Sequence, residues 1–328
     1  MRAVAVHAQA PIERAPLVLG ERPVPTPQPG EVLVRVSACG ICRTDLHLVE
    51  GDLALVTTPI VPGHQVVGRV VNDGTRFRAG ERIGIAWLRW TCGACGYCTS
   101  GRENLCERAR FTGWHADGGY ADYAVVSEAF AYALPGPLTD AEMAPLLCAG
   151  IIGYRALRLS AVPPGGTLGI YGFGSSASVT IQVARARGAQ VFVCTREPGH
   201  RELAREMGAT WVGETAEAMP RPVDGAIIFA PAGELVPVAL RSLARGDTLA
   251  LAGIHMTRIP PLDYDALFQE RRVTSVTANT RADGEELLAE AIRIPIRPAV
   301  TTFPLEDANR ALLALERGAF SGSGVLVP

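Results

Sequence analysis

The sequence predicts a two-domain α/β protein, a β-rich domain followed by a parallel sheet wrapped in helices. Three observations carry this. Residues 1–149 run as short alternating apolar segments broken by Gly and Pro, the pattern of strands joined by long loops. From about residue 150 strand-like and helix-like segments alternate, which builds βαβ units. A glycine-rich turn sits where the second pattern begins.

In the first half the predicted strands are EVLVRVSA, HQVVGRVVNDG, ERIGIAWL and ADYAVV. In the second, TLGIYGFGSSASVTIQVARARGAQVFVCT reads as strand, turn, amphipathic helix and strand. HRELAREMGA is a helix, AIIFA a strand, VPVALRSLARG a helix and TLALAG a strand. EDANRALLALERG is a late helix ending at Gly318, and GVLVP a final strand.

Cys92, Cys95, Cys98 and Cys106 stand as C-x2-C-x2-C-x7-C. Four thiolates so spaced can surround one tetrahedral Zn2+ and leave no open position, so this site holds a loop rather than performing chemistry. The reactive centre is expected elsewhere, at Cys42, His64 and Cys148. Two thiolates and an imidazole leave a fourth position for water or substrate.

Composition narrows the classes. At 328 residues, 48% hydrophobic and 20% charged, the chain fits an ordinary globular protein with room for two cores. A net charge of -2 gives no case for nucleic acid or an anionic membrane as partner. The opening MRAVAVHAQAPIER lacks the apolar core of a signal peptide, and no run of about 18 apolar residues occurs. A cytoplasmic location is expected, where eight cysteines point to metal rather than disulfides. The chain has no lysine, which excludes Schiff-base, P-loop and Tyr/Lys reductase chemistry.

Gly172-Phe173-Gly174-Ser175-Ser176-Ala177 follows a strand and opens a helix, fitting G-x-G-x-x-A. Gly172 permits the turn and Gly174 close approach to a pyrophosphate. Ala177 permits helix packing, and the helix N-terminus faces the phosphates. The second strand ends Val193-Cys194-Thr195-Arg196, with His200 and Arg201 beyond, where an NAD enzyme carries an acid. A hydroxyl beside a guanidinium favours a phosphate, hence NADP over NAD, with Thr195, Arg196 and Arg201 as its contacts.

Cys42-Arg43-Thr44-Asp45 with His47, Gly63-His64, the four-cysteine lobe, Cys148 and the glycine-rich turn occur in order over nearly the whole chain. Together they resemble the zinc-dependent alcohol dehydrogenases of the medium-chain dehydrogenase/reductase family. The resemblance implies a GroES-like catalytic domain over residues 1–149, a Rossmann-type cofactor domain over 150–281, and a return to the catalytic domain over 282–328. It implies two Zn2+ per chain, with Cys42, His64 and Cys148 at the catalytic ion. Thr44 would pass the alcohol proton through the cofactor ribose to His47. Asp45 would orient His64, unless it serves as a helix N-cap, and Arg43 would touch the pyrophosphate. Trp87 and Trp114 would line the substrate pocket.

Four positions depart from the family pattern. Gln65 replaces a Glu behind the zinc, Ile152 a Thr near the nicotinamide, and Ser323 an Arg that meets the pyrophosphate. Ser175 and Ser176 replace a Gly and an aliphatic residue. The expected activity is reversible hydride transfer between a primary or secondary alcohol and NAD(P), by a homodimer or homotetramer acting on small-molecule alcohols or aldehydes. The rivals are a zinc-free quinone or enoyl reductase and a zinc-stabilised binding protein.

Overall fold

The computed structural model describes residues 1–134 and 136–328. The chain forms two compact units. The first comprises Met1–Cys148, Ala278–Ile292 and Pro298–Pro328, and the second Ala149–Thr277 and Arg293–Arg297. The sequence set the divisions at 149/150 and 281/282. The compact units divide at 148/149 and 277/278, and Asn279 Nδ2 donates to the Tyr132 hydroxyl and Arg281 N to Glu103, all within the first unit. Arg293–Arg297 goes with the second unit, where Arg297 N donates to Gln182 Oε1 at 2.9 Å and Gln182 Nε2 donates back to Arg297 O.

The first unit is organised by strand Glu31–Gly40, whose period-two burial puts Val32, Val34 and Val36 into the core. It pairs antiparallel with Gln65–Val70, Tyr123–Ser127 and Ser323–Val327, within a seven-stranded sheet. A register shift between Val36 and Ala38 marks a bulge, beyond which the strand runs on towards Cys42. Val300–Pro304 and Ser323–Val327 pair in parallel, with helix Ala308–Glu316 between them in sequence.

The second unit holds six parallel strands. Their order is Trp211–Gly213, Gln190–Cys194, Thr167–Tyr171, Gly225–Ile228, Thr248–Leu251, Arg272–Ser275. Thr167–Tyr171 is buried at every residue, as a central parallel strand must be when both faces are covered. Strand order reverses beside it, and at such a switch point the carboxyl ends of the strands leave a crevice for a ligand. Among the described residues no helix is long and apolar enough to cross a membrane.

Candidate active site

Sheet register creates the first cluster. Gly40 lies opposite Gln65 in the antiparallel pair, so the residues just outside those two strand ends, Cys42 and His64, become neighbours. Cys42 Sγ stands 3.3 Å from His64 Nε2. Cys148 follows the 3-10 turn Ala144–Leu147. The donor atoms of Cys42, His64 and Cys148 all lie within 4.8 Å of one another. Gly63 makes the corner before His64: its φ is +96°, and a Cβ there would lie 2.4 Å from the buried Tyr120 ring.

Behind the cluster, Cys42 caps helix Arg43–Glu50, its Sγ accepting from Thr44 N at 3.3 Å. Asp45 is buried and does two jobs. One carboxylate oxygen accepts from Cys42 N at 2.9 Å, closing a capping box. The other accepts from Gly63 N at 3.2 Å and stands 3.2 Å from His64 Nδ1. The helix cap and the imidazole partner are therefore the same carboxylate.

The electrostatics describe a site that wants a cation. Burial disfavours the His64 imidazolium, but the Cys42 thiolate and Asp45 outweigh it and push the ring up to about 10. Burial would also raise the Cys42 thiol, yet hydrogen bonds from Cys148 and His64 hold it well below its ordinary value. Cys148, donating to that thiolate and buried, is held well above. Metal binding at such a cluster requires deprotonated thiols and a neutral imidazole, so a metal ion would compete with protons there. Two sulfurs and a nitrogen at this spacing suit zinc with one position left open.

The second cluster is closed. Cys92, Cys95, Cys98 and Cys106 bring four sulfurs within 4.8 Å, with Cys95 to Cys98 at 3.5 Å and Cys92 to Cys98 at 3.8 Å. Hydrogen bonds from Ala94 N and from Arg108 lower the Cys92 thiol to about 5, so a thiolate stands ready. All eight cysteines are free of disulfides.

Around the first cluster, Thr44 is buried on the helix that carries His47, and Arg43 lies exposed with a long contact to Glu316 O. His47 Nδ1 meets Asp52 at 2.7 Å. Trp87 lies edge-on to His64, centroids 4.8 Å apart. It stacks on Phe111 at 4.9 Å and on Trp114 at 6.1 Å. Trp114 donates to Ala54 O, and His115 packs against its ring at 4.2 Å. The sequence named Trp87 and Trp114 but not Phe111.

In the second unit Gly172 has φ +84°, and a Cβ there would lie 2.9 Å from Ala230, so no side chain fits. Gly174 caps helix Ser175–Ala186, and the space where its Cβ would point is open, as close approach by a ligand requires. Ala177 is fully buried. Thr195 is buried at the end of the neighbouring strand, and Arg196 is exposed, touching Glu197. Arg201 donates to the carbonyls of Thr195 and Arg196 and pairs with Glu214, which fixes the end of that strand.

The family model described as "Alcohol dehydrogenase GroES-like domain" matches residues 28–136, and that described as "Zinc-binding dehydrogenase" matches residues 177–293. A protein of Mycobacterium tuberculosis named "Probable alcohol dehydrogenase AdhA" is 50% identical over 100% of this chain and 97% of its own. The chain belongs to the zinc-binding alcohol dehydrogenase family. An alcohol dehydrogenase of Geobacillus stearothermophilus is 34% identical, over 95% of this chain and 96% of its own. The solved structure of a cobalt- and zinc-bound thermostable alcohol dehydrogenase from Pyrobaculum aerophilum superimposes with a TM-score of 0.90. It is 27% identical, and the match covers 100% of this chain and 99% of that one. As a member of the alcohol dehydrogenases, the chain is an oxidoreductase acting on small-molecule alcohols.

The departures from the family pattern have distinct settings in this dehydrogenase. Gln65 is buried and its Nε2 has no hydrogen-bond partner among the described residues. Ile152 is half-buried in helix Ala149–Ser160. Ser323 is buried at the start of the last strand, its N–H donating to Ala299 O. Ser175 and Ser176 form the first turn of their helix, where their carbonyls accept from Ser178 and Thr180.

Proposed function

We propose that this dehydrogenase transfers hydride reversibly between a primary or secondary alcohol and NADP, with one zinc at each cysteine cluster. The observation that carries the reading is the convergence of Cys42, His64 and Cys148 within 4.8 Å, with Asp45 behind the imidazole. Cys42, His64 and Cys148 hold the catalytic zinc, and Cys92, Cys95, Cys98 and Cys106 the structural one. When bound, zinc supplies Lewis-acid polarisation of the substrate oxygen and the nicotinamide supplies the redox chemistry.

The remaining work falls to the chain. Asp45 lies 3.2 Å from Nδ1 of His64 and orients the ring, which leaves Nε2, on the Cys42 side, as the metal-facing nitrogen. The Thr44 hydroxyl takes the substrate proton. His47, one helical turn further and half-buried, carries it outward. Trp87 and Trp114 give the pocket an apolar wall that excludes water. Gly172, Gly174, Ser175 and Ser176 cradle the pyrophosphate, with Ala177 packing the helix behind them, and Arg43 is a further phosphate-binding cation. Arg196, exposed just past the strand end, leaves its contact with Glu197 to receive the 2′-phosphate beside Thr195, and Arg201 holds that strand end in place.

Self-association into a homodimer or homotetramer is supported by strand Arg272–Ser275, which ends its sheet among the described residues and exposes Val273.

The test is Cys42→Ser, assayed with NADPH and NADH on aliphatic and aromatic aldehydes alongside metal analysis. Turnover is expected to vanish while NADPH still binds, with zinc falling from two per chain towards one. Full activity in a correctly folded Cys42→Ser protein would remove the site. A preference for NADH, unchanged in Arg196→Ala, would remove the NADP assignment.

A further inference from the structure

We infer that Asp52 is a positioning residue of the proton path, holding His47 in the tautomer whose Nε2 is free of a hydrogen and can accept the proton. The inference rests on the reading that His47 carries the substrate proton. His47 Nδ1 and Asp52 Oδ2 are 2.7 Å apart, a short charge-assisted distance. An ionised carboxylate has no proton to give, so the hydrogen belongs to Nδ1 and the basic lone pair to Nε2.

The geometry is built by the backbone rather than left to two mobile surface chains. Helix Arg43–Glu50 ends at Gly51, with φ +106° and its N–H on His47 O. Leu53 N donates to the same carbonyl at 3.0 Å. Gln9 Nε2 then bridges Leu48 O at 2.7 Å and Leu53 O at 2.8 Å. Asp52 therefore sits in a turn fastened on both sides. The His47 side chain is 19% exposed and that of Asp52 59%, so the pair spans the protein-to-water boundary.

A proton taken up on Nε2 makes an imidazolium whose charge the carboxylate balances. The same proton then leaves Nε2 for water or a buffer base, and Nδ1 keeps its hydrogen throughout. Asp52 neither gains nor loses a proton in the cycle.

The experiment is a cycle of Asp52→Asn, His47→Gln and the double variant, with Asp52→Glu as the conservative control. It reads kcat, KM for the alcohol and the Kd of NADPH on the zinc-loaded enzyme, plus 15N shifts of the labelled His47 ring. Asp52→Asn is expected to lower kcat about three- to tenfold, a fraction of the 10²–10⁴ attributed to general base catalysis. KM and Kd should hold, the Nε2-basic tautomer should lose population, and Asp52→Glu should recover most of the rate. In the His47→Gln background Asp52→Asn should add nothing. If His47→Gln slows the enzyme while Asp52→Asn does not, the role of Asp52 is overturned and the relay stands. An equal loss from Asp52→Asn in both backgrounds overturns it too, since the effect would not pass through His47. Wild-type rates in His47→Gln would overturn the relay and this inference with it.

Discussion

Replacing Asp45 by Asn removes one charge and keeps the shape. The carboxylate accepts from Cys42 N and Gly63 N and stands 3.2 Å from His64 Nδ1. An amide has one acceptor oxygen, so whichever way it turns, its NH2 faces a donor. Leaving a buried donor unpaired costs about 1–3 kcal/mol, and hydrogen bonds to a charged group are worth about 1.5–3 kcal/mol. Loss of the partner behind a metal-ligating histidine typically weakens metal binding about 10- to 100-fold, or about 1.4–2.7 kcal/mol. Both figures are small enough for a protein stable by about 5–15 kcal/mol to remain folded. Asp45→Asn should therefore fold with a lowered Tm and hold its catalytic metal 10- to 100-fold more weakly, while the four-cysteine site is unaffected. Titration with a chelator, following zinc release and activity together, reads this directly. Only the release phase that tracks activity should move. A folded variant releasing that zinc at the wild-type chelator concentration would refute the claim that Asp45 supports His64. Asp45→Ala strips every acceptor at once and is the less informative variant.

Gly172→Ala should destabilise the second unit by about 2 kcal/mol or more, since left-handed backbone alone costs about 1–2 kcal/mol and the new Cβ strikes Ala230. It should also weaken NADPH binding, and a wild-type Tm and Kd would contradict the turn's role. Glu128 accepts from Thr75 N and Oγ, Arg76 N and Phe77 N. Burial opposes its ionisation, but these bonds prevail and lower its carboxyl from 4.5 to about 2. A depressed carboxyl stabilises fully above its unfolded value and loses that contribution as pH falls through its folded one. The deficit of Glu128→Gln in urea melts should thus be full at pH 7 and shrink between about pH 4.5 and 2; a deficit independent of pH would exclude the charged clamp. Cys95→Ser should lower zinc content by one per chain and reduce Tm, with the remaining zinc still supporting turnover below the new Tm.

The legibility of these features follows their range along the chain. The four cysteines of the lobe are local, so spacing alone marks the cluster, and the glycine-rich turn is local for the same reason. Cys42, His64 and Cys148 carry no such signal. They become neighbours because Gly40 pairs with Gln65 and because a turn after Met143 delivers the third ligand. Their selection from the sequence came through a family resemblance, since periodicity says nothing of register between strands. Asp45 was legible as cap or as imidazole partner; only the fold has one oxygen for each. Helix Ala149–Ser160 and the parallel strand Val300–Pro304 were not anticipated. The latter is half-exposed, so its burial does not alternate cleanly.

The same distinction of range explains which residues were missed around the site. Phe111 and His115 join Trp87 only through the short pairing of Leu88–Trp90 with Arg110–Phe111, which itself carries a register irregularity. No composition signal foretells a stack formed across such a pairing. Asp52 is different, because it follows His47 by one helix end and a glycine. A left-handed Gly51 turns the chain back, and that reversal sets a carboxylate against a ring five residues earlier. The signal was present as a Gly-Asp after a histidine-bearing helix. It has meaning only once the turn is known to close on the carbonyl of that histidine.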